Sequence, residues 1–146
     1  MTFLQDASHA DESTFLPWCE ANRLGVRRFD EEHARMAALI GHLHATMIVR
    51  RDKPLSLKVF ERLILETRRH FDGEEALMEE LGYPALEAHS AEHARLITEA
   101  EEMARNYGLG HISALALPEF LRKWLLHHID TCDRAYTDFF RTHGIP

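Results

Sequence analysis

The sequence predicts an all-α protein: an antiparallel up-down-up-down four-helix bundle with an N-terminal arm. Apolar residues recur at steps of three and four along four long segments, and no segment shows the alternation of a β-strand. The segments are joined by short connections, several containing Gly or Pro, which favours antiparallel neighbours. The chain has 146 residues, the size of one domain, and can bury a core without disulfide bonds.

Helix signals in the sequence set the expected boundaries. Carboxylates crowd the first turn of the first helix, where they favour the positive end of the helix dipole. Pro54 ends that segment, and Gly82 followed by Pro84 separates the second helix from the third. We expect helices at residues 29–50, 57–80, 84–107 and 118–141. Residues 1–28 would form the arm and residues 29–146 the bundle domain.

Composition excludes several classes of partner. The formal net charge is −7 and no large Lys/Arg cluster occurs, so a nucleic-acid-binding face is not expected. No apolar run reaches the 18 or so residues needed to span a membrane. The two cysteines, Cys19 and Cys132, are too far apart to suggest a metal-binding or redox motif, and we expect reduced thiols in the cytoplasm. The charged exposed faces favour a monomer.

Histidine is the residue type that points to function, with 11 copies in the chain. Residues four apart share one face of a helix, so His70 and Glu74 are neighbours on the second helix, as are His89 and His93 on the third. Both pairs fall on the apolar stripe of their helix, and they therefore point into the bundle.

The first and fourth helices each add an inward histidine, His33 and His128. A carboxylate on the fourth helix is harder to assign from spacing. Asp133 follows His128 by five residues, which places it about 140° further around an ideal helix. Spacing alone therefore leaves the pair of His127 and Asp130 as an alternative.

Metal binding would explain so many polar groups on inward faces. An unpaired buried polar group costs about 1–3 kcal/mol, and an unpaired charge costs more. Five imidazoles and two carboxylates can satisfy one another by holding two metal ions. If both carboxylates and one oxo or hydroxo group bridge the metals, five imidazoles divide as three and two. One metal then keeps an open position for a small ligand.

These residues and their surroundings resemble the hemerythrin family, in particular its bacterial single-domain members. The resemblance covers about residues 18–140 and rests on five segments: Asp30-Glu31-Glu32-His33, His70-Phe71-x-x-Glu74-Glu75-x-x-Met78, Gly82-Tyr83-Pro84, His89-x3-His93, and Trp124-Leu125-x-x-His128-Ile129-x3-Asp133. It implies a centre of two iron ions with an oxo or hydroxo bridge, and it favours His128 with Asp133 on the fourth helix.

The resemblance also implies the role of each ligand. His89, His93 and His128 would hold the saturated iron, and His33 and His70 the iron that binds O2, while Glu74 and Asp133 bridge. The implied function is reversible O2 binding as a hydroperoxide, for transport, storage or delivery, and not catalysis. Nitric oxide and small anions are alternative ligands.

Four apolar residues close to the ligands are expected to wall the O2 pocket: Met36, Phe71, Trp124 and Leu125. Phe71 and Trp124 are equally interpreted as helix-face core residues. We assign Glu75, Glu79 and Glu80 to a solvated face, with a hydrogen bond from Glu75 to a ligand histidine as the alternative. Cys132 is interpreted as a small buried hydrophobe. The remaining histidines receive no role: His9, His42, His44, His111, His127 and His143.

Three other functions compete with O2 carriage. The chain could be an O2 or redox sensor that acts through a separate partner. It could be a di-iron oxidase, a peroxidase or a nitric-oxide-handling enzyme, but most di-iron oxidases are richer in Glu and carry Glu-x-x-His motifs. Structural zinc is disfavoured because seven ligands exceed a closed tetrahedral set.

Overall fold

The computed structural model describes residues 15–146, except for the side chain of Cys132. It is all-helical over this range, with α1 at Arg27–His44, α2 at Lys53–Leu81, α3 at Leu86–Gly108, α4 at Ala116–His128 and α5 at Arg134–Thr142. Two π-helical turns, Ala45–Val49 and Ile129–Asp133, extend α1 and join α4 to α5. The first 14 residues of the predicted arm lie outside the described part of the chain.

The helices form a four-helix bundle, as the sequence predicts. The α4 and α5 segments run on through the second π turn and serve as one fourth helix. Helix α1 contacts α2 and α4, and α3 contacts the same two helices, so the four elements surround a common interior. Within the described residues, no helix is long and apolar enough to cross a membrane.

The boundaries differ from the expected ones by a few residues, for local reasons. Helix α2 starts four residues early, because Pro54 is tolerated in its first turn and the Asp52 side chain accepts a hydrogen bond of 3.0 Å from the Leu55 amide. Gly82 ends α2 in the left-handed conformation, with φ of 71°. Helix α3 begins two residues after Pro84, which lies in the connecting turn.

Two apolar clusters fill the interior, and the inward polar residues lie between them. The smaller cluster contains Val26, Phe29, Met78, Tyr136 and Phe140. The larger one includes Met36 of α1, Phe71 of α2 and Leu125 of α4, and continues toward the far end of the bundle. Along each helix, the predicted ligands fall between a residue of one cluster and a residue of the other. They therefore form a polar layer closed above and below by apolar side chains.

The described part of the arm packs on the bundle. The ring of Phe15 stacks on His44 with 4.0 Å between centroids, and Leu16 is buried. Trp18 lies against the ring of His33, with 6.5 Å between centroids. The buried Asp30 carboxylate then accepts hydrogen bonds from the amides of Leu24 and Gly25, at 2.7 and 3.0 Å, which fixes the entry into α1.

Candidate metal centre

The structure brings all seven predicted ligand residues into one buried layer. Each of them is at most 6% exposed: His33, His70, Glu74, His89, His93, His128 and Asp133. Helix α1 supplies one residue, α2 and α3 supply two each at a spacing of four, and the fourth helix supplies the last two. The inward faces predicted from helical periodicity are therefore the observed ones.

The π turn resolves the fourth-helix pair in favour of His128 and Asp133. The Arg134 amide bonds to the Ile129 carbonyl, five residues back, so this turn holds one residue more than an α-helical turn. Residues five apart consequently return to the same face. The Nε2 of His128 lies 2.9 Å from the Oδ1 of Asp133, whereas His127 and Asp130 are exposed.

The candidate ligand atoms fall into two sets that share Asp133. One set comprises His33, His70, Glu74 and Asp133, and the other His89, His93, His128 and Asp133. Within each set, one ligand atom from every residue lies within 4.8 Å of the others. The donors thus have the arrangement required to hold two neighbouring cations.

The two carboxylates both reach across the sets. Asp133 directs Oδ2 toward His33, at 3.0 Å, and Oδ1 toward His128, at 2.9 Å. Glu74 lies 2.5 Å from the Nε2 of His70 through Oε1, and its oxygens are 3.9 Å from the Nε2 atoms of His89 and His93. Each carboxylate therefore contacts imidazoles of both sets.

Hydrogen bonding does not satisfy this layer, and that observation tests whether metal ions fit. The Nε2 atoms of all five imidazoles and all four oxygens of the two carboxylates are buried without a hydrogen-bond partner. Some of their separations are short, yet the atoms are not aligned for hydrogen bonds, and one ligand atom from every residue of each set lies within 4.8 Å of the others. Because unpaired buried polar atoms are costly, and imidazole with carboxylate is a donor set that suits iron, the residues fit a di-iron centre.

The pKa values of the candidate ligands in the metal-free layer are shifted in different directions, which makes some of these side chains charged and others neutral. Burial acts to lower the pKa of His70, but the Glu74 carboxylate and the bond to Glu32 outweigh it and raise that pKa to about 10. Burial would raise the pKa of Asp133, yet the adjacent His128 and His33 rings hold it well below its usual range. Burial lowers the pKa of His93 to about 3, so this imidazole is neutral and ready to bind a cation.

Two carboxylates hold ligand imidazoles from the side opposite the metal positions. The Nδ1 of His93 lies 2.9 Å from Glu75, and the Nδ1 of His70 lies 3.2 Å from Glu32. In metal sites such partners fix the tautomer and ring orientation of the ligand. The assignment of Glu75 to a solvated face is therefore wrong and the alternative holds, since its side chain is only 25% exposed.

The sequence analysis missed the contact of Glu32 with His70, and considered the first-turn carboxylates of α1 only in relation to the helix dipole. Tyr136 was missed too. Its hydroxyl is fully buried, and burial together with the Glu74 charge raises its pKa. The signals available were the position of Glu32 beside His33 and the polar atom of Tyr136 on an inward face.

The four predicted wall residues are all buried in the larger apolar cluster: Met36, Phe71, Trp124 and Leu125. The ring of Phe71 stacks on His93, with 3.7 Å between centroids and planes 3° apart. Trp124 donates its Nε1 hydrogen to the Leu96 carbonyl at 3.0 Å. Phe71 is therefore in direct contact with a candidate ligand, while Trp124 is held against α3 by a hydrogen bond.

Histidines that were given no role lie apart from this layer. His111, His127 and His143 are exposed, and His42 and His44 are partly buried. The ring of His44 stacks on Phe15 at the edge of the bundle. His9 lies outside the described residues.

Comparison with known proteins identifies the family. The Hemerythrin HHE cation binding domain matches residues 24–139. A bacteriohemerythrin of Stenotrophomonas maltophilia (strain R551-3) is 30% identical over 128 residues, which cover 88% of this chain and 83% of the relative. A bacteriohemerythrin of Pseudomonas aeruginosa (strain LESB58) is 31% identical over 126 residues, covering 86% and 82%.

A comparison with solved structures leads to the same family. A crystal structure of wild-type hemerythrin superposes with a TM-score of 0.74 at 27% identity, covering 83% of this chain and 94% of that one. The match in fold thus extends over most of this chain. The chain belongs to the hemerythrin family.

Proposed function

We propose that this hemerythrin binds O2 reversibly at a non-haem di-iron centre, for transport, storage or delivery. The proposal rests on nine buried potential metal-ligand atoms, five imidazole nitrogens and four carboxylate oxygens, that have no hydrogen-bond partner. Their residues form two sets that share the Asp133 carboxylate. Family membership supports the same reading, because hemerythrins are oxygen-binding proteins and not enzymes.

We assign three imidazoles to one iron and two to the other. His89, His93 and His128 would hold the first iron. His33 and His70 would hold the second, with Glu74 and Asp133 joined to both. The split contacts of the Asp133 carboxylate support this assignment, since its two oxygens approach imidazoles of different sets.

The unequal number of imidazoles has a functional consequence. With the same oxygen donors on each side, the iron held by His33 and His70 has one protein ligand fewer, and O2 would enter there. An iron pair held by these residues would supply, in its reduced form, the two electrons needed for reversible O2 binding.

The protein's own residues prepare this chemistry in two ways. Carboxylates on the Nδ1 atoms of His70 and His93 keep both rings oriented toward the interior. The smaller apolar cluster closes the layer on one side, and the larger cluster closes it on the other. Water and anions are thereby kept from a site whose ligands lie at most 6% exposed.

We propose that Met36, Phe71, Trp124 and Leu125 form the apolar wall of the O2 pocket. Phe71 supports this role best, because it lies flat on His93 and 5.8 Å from His70 between ring centroids. It therefore contacts one imidazole of each proposed iron. Core packing and pocket lining are compatible roles for all four residues.

The location, the oligomeric state and the competing ligands of the protein are also proposed. We propose a cytoplasmic monomer with O2 as its ligand and nitric oxide or small anions as competitors. The exposed ion pairs on the helix surfaces, such as Arg62 with Glu66 and Arg68 with Glu101, favour a solvated exterior.

The division into an arm at residues 1–28 and a bundle at 29–146 also stays a prediction.

The test is the absorption spectrum of metal-quantified, anaerobically reduced protein before O2, after O2, and after O2 is removed. We expect a charge-transfer band that appears with O2 and disappears on degassing, at two irons per chain. A spectrum that changes once and never returns would contradict reversible carriage and favour a redox sensor.

A further inference from the structure

A glycine lies inside α2 where helix stability would favour another residue. Gly73 sits between His70 and Glu74, and glycine weakens a helix interior relative to alanine. A Cβ atom built at this position would collide with the Nη2 of Arg28 and lie 3.3 Å from its Cζ. The missing side chain therefore leaves room for the guanidinium of an arginine on α1.

Arg28 connects this gap to a candidate iron ligand. Its Nε lies 3.7 Å from the Oε1 of Glu32, one turn further along α1. The same Oε1 lies 3.2 Å from the Nδ1 of His70. Contacts thus run from Gly73 through Arg28 and Glu32 to the imidazole of His70.

The ring of His70 has few other means of fixing its orientation on that side. Its ring neighbours include His33, edge-on at 4.4 Å, Phe29, edge-on at 5.6 Å, and Phe71, tilted at 5.8 Å between centroids. These ring contacts limit the space around the imidazole but do not select which nitrogen carries the hydrogen. The Glu32 carboxylate does, because it accepts from Nδ1 and leaves Nε2 free to face the metal position.

We propose that Arg28, admitted by Gly73, is a positioning residue for His70. The guanidinium holds the Glu32 carboxylate in the orientation that accepts the Nδ1 hydrogen of His70. The proposal rests on the proposed function, in which His70 binds the more open of the two irons. Arg28 acts only through Glu32 and does not touch the metal site.

The ion pair of Arg28 with Glu32 contributes little to fold stability. The Arg28 side chain is 63% exposed, and exposed ion pairs contribute little to folding. The tip of Arg28 is flexible and can move aside, so an alanine at position 73 would gain helix propensity. The structure thus predicts a variant, Gly73→Ala, that folds at least as well as the parent yet loses the positioning contact.

The chain offers matched controls for both substitutions. Gly108 is the last residue of α3, and a Cβ atom added there meets nothing within 4 Å. Arg62 forms an i,i+4 pair with Glu66 on α2, with side chains 61% and 17% exposed, close to the 63% and 14% of Arg28 and Glu32. Gly108→Ala and Arg62→Gln therefore reproduce the chemical changes away from His70.

The experiment uses the full chain loaded with zinc, which is diamagnetic and has no redox chemistry. Solvent exchange of the His70 Nδ1 hydrogen is measured by NMR on histidine labelled with nitrogen-15, together with zinc stoichiometry and the melting temperature. We expect several-fold faster exchange in Gly73→Ala and Arg28→Gln and parental exchange in both controls. Gly73→Ala should melt no lower than the parent. Glu32→Gln should lower zinc affinity by about tenfold or more.

Each of the other outcomes would contradict one part of the proposal. Parental exchange in Gly73→Ala and Arg28→Gln would exclude positioning by Arg28. Faster exchange accompanied by a lower melting temperature in Gly73→Ala would mean a packing defect instead. A parent chain that binds no zinc would overturn the ligand assignment in the proposed function, and the positioning role with it.

Discussion

The Oδ1 of Asp133 lies 2.9 Å from the Nε2 of His128, although the two residues are five apart along one helix. An α-helix would turn them about 140° away from each other. The π turn at Ile129–Asp133 removes that offset by adding one residue to a single turn. Its location agrees with the general observation that π turns inside helices cluster at functional sites.

Replacing Asp133 by Ala should remove metal from both positions, because its carboxylate reaches imidazoles of both sets. Metal analysis after purification should give well below two ions per chain, and the melting temperature should fall with metal occupancy. Asp130→Ala is the control, since Asp130 is in the same π turn but is exposed and pairs with Arg134 on the surface. Retention of two metals by Asp133→Ala would refute its bridging role.

Replacing Glu75 by Ala should weaken metal binding by about 10- to 100-fold, because His93 loses the acceptor that fixes its orientation. Competition with a chelator of known affinity measures the change. Glu79→Ala, an exposed residue one turn further along α2, should behave like the parent. Equal affinities for the two variants would show that Glu75 is only a surface carboxylate.

Metal uptake should release a proton from His70. Its raised pKa of about 10 means that the metal-free imidazole is protonated at neutral pH, whereas a metal ligand must be unprotonated. Apparent metal affinity should therefore rise with pH, roughly between pH 7 and 9, and level off as pH approaches the pKa of His70. Calorimetry of zinc binding in buffers of different ionisation enthalpy counts the protons. Zinc uptake without proton release at neutral pH would contradict this charge assignment.

Replacing Leu125 by Ala should accelerate autoxidation, because it would open the proposed apolar wall near His128 to water and anions. It should also destabilise the fold by about 2–5 kcal/mol, as expected for a buried leucine. Leu121→Ala removes an equally buried leucine one turn further from His128 and should cost similar stability. Decay of the oxygenated spectrum and thermal melting measure the two effects. Equal autoxidation in both variants would argue against a specific wall at Leu125.

Much of the fold and of the ligand set could be predicted from sequence, because the signals are local. Helical periodicity places His70 beside Glu74 and His89 beside His93, and it turns both pairs inward. The helix ends were less accurate. Pro54 was interpreted as a break before the second helix, whereas it lies in its first turn, where a missing amide hydrogen has no cost.

The sequence by itself determined the helices, the residue types of the donors and the faces on which they lie, since each depends on neighbours within a few positions. Tertiary structure decided the rest. The π turn that aligns Asp133 with His128 is a change of helical register that spacing does not reveal. Glu32 and Glu75 became partners of His70 and His93 only because α1 packs on α2 and α2 on α3. Those contacts join residues 38 and 18 positions apart, a distance at which helical periodicity carries no information.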